Sequence, residues 1–167
     1  MKLWIDEFDS ALGTILLVSD GVAVRALDYI DYRDRMERLL RLHYGSFELE
    51  PAADPGGASS AVKAYLRGSL RALDNVPVNT GGTDFQRRVW ARLREIPIGS
   101  TITYGEIARE FGMQNGSRAV GLANGSNPVA IIVPCHRVIG ASGKLTGYAG
   151  GLERKQWLLA HEGATLF

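Results

Sequence analysis

The chain has 167 residues, 46% hydrophobic and 22% charged, with a formal net charge of +1; it can bury a core without staples and is neither disordered nor fibrous in composition. No apolar run approaches the roughly 20 residues that a membrane span needs, and the opening Met1-Lys2-Leu3-Trp4-Ile5-Asp6-Glu7 turns acidic too early for a signal peptide. A single cysteine, Cys135, excludes an intramolecular disulfide and a multi-cysteine metal site, and a lone thiol points to a reducing, cytoplasmic setting.

In chain order, the apolar stretches Leu3 to Phe8, Thr14 to Val18 and Ala23 to Tyr29 are separated by Ser10-Ala11-Leu12-Gly13 and Ser19-Asp20-Gly21, a spacing that predicts an antiparallel meander. From Tyr32 to Tyr44 the positions Met36, Leu39, Leu40 and Leu42 alternate with arginines, as in a surface helix whose basic side faces solvent. Pro51 to Ser60 reads as a loop, Ala61 to Leu70 as a helix and Val76-Pro77-Val78 as strand-like. These elements fill a first lobe over residues 1–79, and a second lobe is expected over 80–167. The charge divides the same way, with nine Lys/Arg against twelve Asp/Glu in the first lobe and ten against six in the second. The basic second lobe is the one to meet an anion.

The second lobe opens with Thr83, an N-cap with Gln86 three residues on, before a helix faced by Phe85, Val89, Trp90 and Leu93. Thr103 and Glu106 repeat the spacing ahead of a helix that runs to Phe111-Gly112. After a turn at Met113 to Gly116, Ser117 is expected to cap a helix over Arg118 to Asn124. Two short helices about a Gly-bearing turn match a helix-turn-helix, and also an ordinary packing pair. Ala119, Gly121 and Ala123 leave the last helix little bulk, which suits either close packing or entry into a narrow groove.

Val129 to Val133 is a continuous apolar run read as a buried strand, and it delivers Pro134-Cys135-His136-Arg137-Val138-Ile139. A cysteine beside histidine and arginine sits in an electropositive setting that favours thiolate and nucleophilic attack. Neighbours in extended chain point apart, so Cys135 and His136 need either a backbone turn or a bridging water to communicate. A base at His136 would want a carboxylate partner, and Glu162 is one candidate among six acids in this half.

With these residues in view, the chain resembles the methylated-DNA–protein-cysteine methyltransferases, the O6-alkylguanine-DNA alkyltransferase family. The segments that carry the resemblance are Phe85-Gln86-Arg87-Arg88-Val89-Trp90, Thr103 to Ala108, Arg118-Ala119-Val120-Gly121, Asn127-Pro128, Ile132 to Ile139 and Gly147-Tyr148-Ala149-Gly150-Gly151-Leu152. Residues 1–79 match by layout alone.

The resemblance implies an α+β chain: a ribonuclease-H-like first lobe with a small antiparallel sheet, and a winged-helix-like second lobe with a helix-turn-helix. It implies a DNA-repair protein that flips O6-alkylguanine out of double-stranded DNA and transfers the alkyl group to Cys135 in one turnover, acting as a monomer, without cofactor or metal. O4-alkylthymine and clustering on DNA stay open. By position, His136 becomes the water-mediated base, Glu162 its partner and Asn127 the brace of the active-site turn. Tyr104 becomes the residue that helps flip the nucleotide and donates to guanine. Arg118 becomes the finger that fills the vacated stack, with Ser117, Ala119 and Gly121 in the minor groove, and Val138, Tyr148, Ala149 and Gly150 shape the pocket. Many relatives carry serine where Ala149 stands, so here only the main-chain donor remains. Two other classes, a lesion-binding module with an inert thiol and a cysteine hydrolase, differ in leaving Cys135 unalkylated or in turning over repeatedly.

Overall fold

The three N-terminal apolar stretches form the expected strands β1 (Lys2–Phe8), β2 (Ile15–Ser19) and β3 (Val24–Tyr29), paired antiparallel, in a computed structural model that describes residues 1–164. Every residue of β2 is buried, as befits a strand covered on both faces. Helix α1 (Arg33–Tyr44) then lays Met36 and Leu40 against Leu3, Leu16, Val18 and Ala26. Burying side chains of this size stabilises by about 1.5–3 kcal/mol each.

The sheet is not the purely antiparallel one expected. β4 (Glu48–Pro51), placed partly in a predicted loop, pairs parallel to β1 and gives the order β3-β2-β1-β4. Its short, charged sequence ending in proline suits an edge strand. Helix α2 runs over Ala58–Leu66, starting and ending earlier than the sequence pattern predicts. At the other edge of the sheet, Val78 pairs with Val24 and Val129 with Leu27 in single parallel bridges.

That last bridge reflects how the chain is divided. One unit comprises Met1–Gly82 with Pro128–Ile132, the other Thr83–Asn127 with the chain from Val133 on. The predicted strand over 129–133 does not form. Val129 alone pairs, and the Ile132 N–H then donates to the Ala130 carbonyl at 2.8 Å about Ile131, whose φ is +71°. This is a γ-turn of the rare positive-φ hand, adopted by a β-branched residue. A second γ-turn follows at Pro134, φ −81° and ψ 66°, closed by the Cys135 N–H on the Val133 carbonyl at 2.8 Å. The run is apolar because it is buried, and it bends because two successive i to i+2 hydrogen bonds replace ladder bonds.

In the second unit α3 (Asp84–Arg94) begins at a complete Thr83/Gln86 capping box, and the Trp90 indole N–H donates to the Ala123 carbonyl at 2.8 Å. A short β5 (Ile102–Thr103) leads into α4 (Tyr104–Glu110), where the Thr103 hydroxyl accepts from the Glu106 N–H. Helix α5 (Ser117–Gly125) starts one residue earlier than expected: Gly116, not Ser117, is its N-cap. A Cβ at Gly116 would stand 2.6 Å from Met113 Cβ and 3.1 Å from Ala108 Cβ, so the turn between α4 and α5 closes only around glycine. β6 (Val138–Ile139) pairs parallel to β5, a two-stranded element the sequence did not reveal, and α6 (Leu152–His161) completes the described fold.

Candidate active site

Cys135, His136 and Arg137 form one tight 3-10 turn directly after the Pro134 γ-turn, and all three are buried. The backbone turn that extended geometry denied is therefore present. Two asparagines hold it. Asn127 Nδ2 donates to the Val133 carbonyl at 2.8 Å and Asn124 Nδ2 reaches the Cys135 carbonyl at 3.4 Å. Both lie on the stripe of Val120 and Ala123, since residues three, four and seven apart share a helix face. Asn127 sits just past the end of α5, so that face continues into the turn.

Glu162, at the C-cap of α6, is the carboxylate that meets His136, with Oε2 2.9 Å from Nε2. Arg137 grips the same carboxylate through Nε to Oε1 and Nη2 to Oε2, both 2.8 Å, and places Nη1 on the Ile96 carbonyl at 2.8 Å. Burial alone would raise the Glu162 carboxyl, but the donors from Arg137 and His136 outweigh it and hold it well below the usual carboxylate range. An ionised Glu162 only accepts, so the His136 proton sits on Nε2 and Nδ1 carries the lone pair. Nδ1 is buried with no hydrogen-bond partner among the described residues. Burial lowers the His136 pKa, with Glu162 offsetting part of the effect, so the ring is neutral at pH 7 and able to accept a proton there.

The loop after β6 is tied down by a residue the sequence reading passed over. Lys155 is fully buried on α6, and its Nζ donates to the carbonyls of Val138 and Thr146 at 2.6 Å and of Gly147 at 3.3 Å. Burial pushes its pKa down to about 8, with the nearby Cys135 acting the other way. The Thr146 carbonyl also accepts from Tyr104 Oη at 3.3 Å, and burial raises the Tyr104 phenol so that it remains a donor. Gly147, at φ +53°, brings its backbone close to that hydroxyl: a Cβ would lie 3.5 Å from it. Tyr148 and Ala149 are half-buried in the same loop. Gly150 is buried, and its carbonyl accepts from Arg154. Val138 is fully buried and paired with Ile102.

Cys135, His136, Glu162 and Asn127 thus converge, and Tyr104 joins the loop carrying Tyr148 to Gly150. Ser117, Arg118, Ala119 and Gly121 lie along α5, with Ser117 and Arg118 exposed and Ala119 and Gly121 half-buried. Gly105 in α4 passes close to the Ser117 hydroxyl, 3.4 Å from a built Cβ.

Residues 84–164, which contain every group of this site, match the family model of the 6-O-methylguanine DNA methyltransferase DNA-binding domain. The methylated-DNA–protein-cysteine methyltransferase of Salmonella typhimurium is 47% identical over 169 residues, 99% of each chain. The chain belongs to the methylated-DNA–protein-cysteine methyltransferase family. Among solved structures, Mycobacterium tuberculosis OGT in complex with DNA superposes with a TM-score of 0.80 at 44% identity, over 96% of this chain and 92% of that one. The O6-methylguanine-DNA methyltransferase of Pyrococcus kodakaraensis shares the fold at a TM-score of 0.71 and 24% identity, over 97% and 99% of the two chains. The family likeness therefore extends through the first unit, where the sequence motifs were silent.

Proposed function

We propose that this protein repairs alkylated duplex DNA by moving the alkyl group from guanine O6 to Cys135 in a single turnover. The observation that carries the reading is the Glu162–His136 pair beside Cys135, with one ring nitrogen bound and the other left as an acceptor. The thiol proton passes to Nδ1, through a water if the two atoms do not meet directly, and the imidazolium is held by ionised Glu162. The thiolate attacks the alkyl carbon. As the S–C bond forms, the C–O6 bond breaks and its electrons remain on guanine, which takes up a proton and becomes ordinary guanine. The product is a thioether, and nothing in the site supplies a second nucleophile to cleave it, so the protein is spent.

The target atom lies inside a stacked duplex, so the nucleotide must leave the helix. Arg118, exposed on α5, fills the gap, with Ser117, Ala119 and Gly121 beside it in the minor groove. Minor-groove readout is degenerate, which suits a repair protein that works in any sequence. Tyr104 donates to the extruded guanine, and Val138 with Tyr148 to Gly150 encloses it. A single copy supplies all of these groups, consistent with action as a monomer, and a reducing cytoplasm keeps Cys135 competent. In a test with duplex carrying labelled O6-methylguanine in excess, transfer should plateau at one methyl per protein. Continued release of repaired DNA past that point would indicate a hydrolytic enzyme instead.

A further inference from the structure

Besides glycines, Asp54, Asn115, Ile131 and Ser142 hold a positive φ among the described residues. Asp54, Asn115 and Ser142 are small polar residues of the kind that turns favour. Ile131 is β-branched, and at φ +71° its side chain crowds its own backbone. Such a conformation persists only where the surroundings over-determine it, and local rules of this kind are broken at functional sites more than elsewhere.

Upstream of Ile131 the chain is pinned by the Leu27 N–H on the Pro128 carbonyl at 3.0 Å and by the Ala130 N–H on the Leu27 carbonyl at 3.1 Å. Downstream, the Val133 carbonyl accepts from Asn127 Nδ2 and from the Cys135 N–H, both at 2.8 Å. Between these anchors Ile131 holds the one positive φ. Its side chain is 1% exposed, so a return to negative φ would pull it out of its packing as well as break the bond from the Ile132 N–H to the Ala130 carbonyl. Everything that follows would also be redirected. Extended as the strand its sequence favours, the run from Ile131 would carry Cys135 about 13 Å onward at roughly 3.3 Å per residue, instead of turning the chain back to the Asn127 side chain. We infer that Ile131 is a positioning residue for alkyl transfer: its buried side chain holds the strained turn that sets where the Cys135 thiol stands against His136. Glycine here would populate both signs of φ about equally, so the strain would be relieved and the direction of the turn lost. Valine keeps the β-branch and most of the buried bulk. The inference rests on the DNA-repair reading above.

The test measures single-turnover transfer from free O6-benzylguanine in the unmodified protein, Ile131→Val, Ile131→Gly and Ile131→Ala, each well below its own melting temperature. A misplacement of about 1 Å can cost a hundredfold in rate, so the maximal rate of Ile131→Gly should fall about tenfold or more, while the half-saturating concentration stays put because the base pocket is untouched. Ile131→Ala should lose rate in the same way, and it decides the matter if the glycine variant does not fold. Ile131→Val should keep both parameters. A maximal rate in Ile131→Gly or Ile131→Ala equal to that of the unmodified protein would overturn the inference, as would an equal loss in Ile131→Val. A raised half-saturating concentration at unchanged maximal rate would also overturn it, by placing Ile131 in the base pocket. If the unmodified protein transferred no alkyl group at all, the repair reading would fail. The rate at which iodoacetamide labels Cys135 would then still test the placement of the thiol: a fall in Ile131→Gly that Ile131→Val does not share supports it, and equal rates overturn it.

Discussion

Two buried carboxylates, one in each unit, are driven in opposite directions. Asp28 in the first unit receives Arg35 Nη1 on one oxygen at 2.9 Å and its neighbour's backbone N–H, from Tyr29, on the other. Burial prevails and its pKa is raised, even though Arg35 pulls the other way. Glu162 in the second unit is equally hidden, but two guanidinium donors and an imidazole cover both its oxygens, and its pKa is lowered. At Asp28 one charged donor and a backbone N–H do not offset desolvation, whereas at Glu162 a bidentate arginine plus the imidazole does. In this chain Arg137 and His136 together keep one carboxylate ionised at the His136 ring.

Breaking that set should cost most. Glu162→Gln leaves Arg137 buried without its counter-charge, so unfolding in denaturant should show a loss of about 3–5 kcal/mol, and transfer to free O6-benzylguanine should slow at every pH. The comparison sharpens under acid. Glu162, lowered in the fold, contributes stability that is complete above its unfolded value of 4.5 and lost as pH falls below it. His136, lowered from 6.5, adds a loss in the same direction from pH 6.5 downward. Each proton taken up steepens the fall by about 1.4 kcal/mol per pH unit. Asp28, raised from 3.8, works oppositely: its contribution is complete below pH 3.8 and disappears as pH rises through its folded value. Melting curves from pH 7 to 4 should therefore flatten in Glu162→Gln and steepen in Asp28→Asn.

Alkylation of Cys135 acts on the same network. The residue is 5% exposed, so an added group enters packed surroundings at a cost of about 1–3 kcal/mol. Benzylated protein should melt lower than methylated, and methylated lower than free, by roughly 2–4 °C per kcal/mol. The smallest effect belongs to the first unit. Asp28→Asn should cost less than Glu162→Gln at pH 7, because it unpairs one arginine contact where Glu162→Gln unpairs a bidentate arginine and an imidazole. A loss as large as that of Glu162→Gln would mean that donor count does not separate the two sites.

Local chemistry made much of this legible. The Thr83/Gln86 box, the meander and the helix pair follow from hydrogen-bonding rules that act over a few residues. Glu162 could only be proposed, because its partner lies 26 residues away and any acid of the half could fold back to His136. Lys155 was readable in principle. Lys155, Leu158, Leu159 and Glu162 recur at helical spacing, so the stripe that buries two leucines buries the lysine and the glutamate as well. A charged residue on an apolar stripe, usually read as a flaw in the pattern, was here the signal. The bend at Ile131 left no trace, because an apolar run records burial and not direction. Flanking Asn127-Pro128 and Pro134 were the only hints that it could not continue as a strand.

Cys135, prepared by His136 over an ionised Glu162, is the expected acceptor of the alkyl group. Peptide mapping after one round with O6-methylguanine duplex identifies the acceptor. A single methyl on the Cys135 peptide, absent in Cys135→Ser, is the expected result; a methyl on any other residue, or none on protein whose DNA has been repaired, would contradict it.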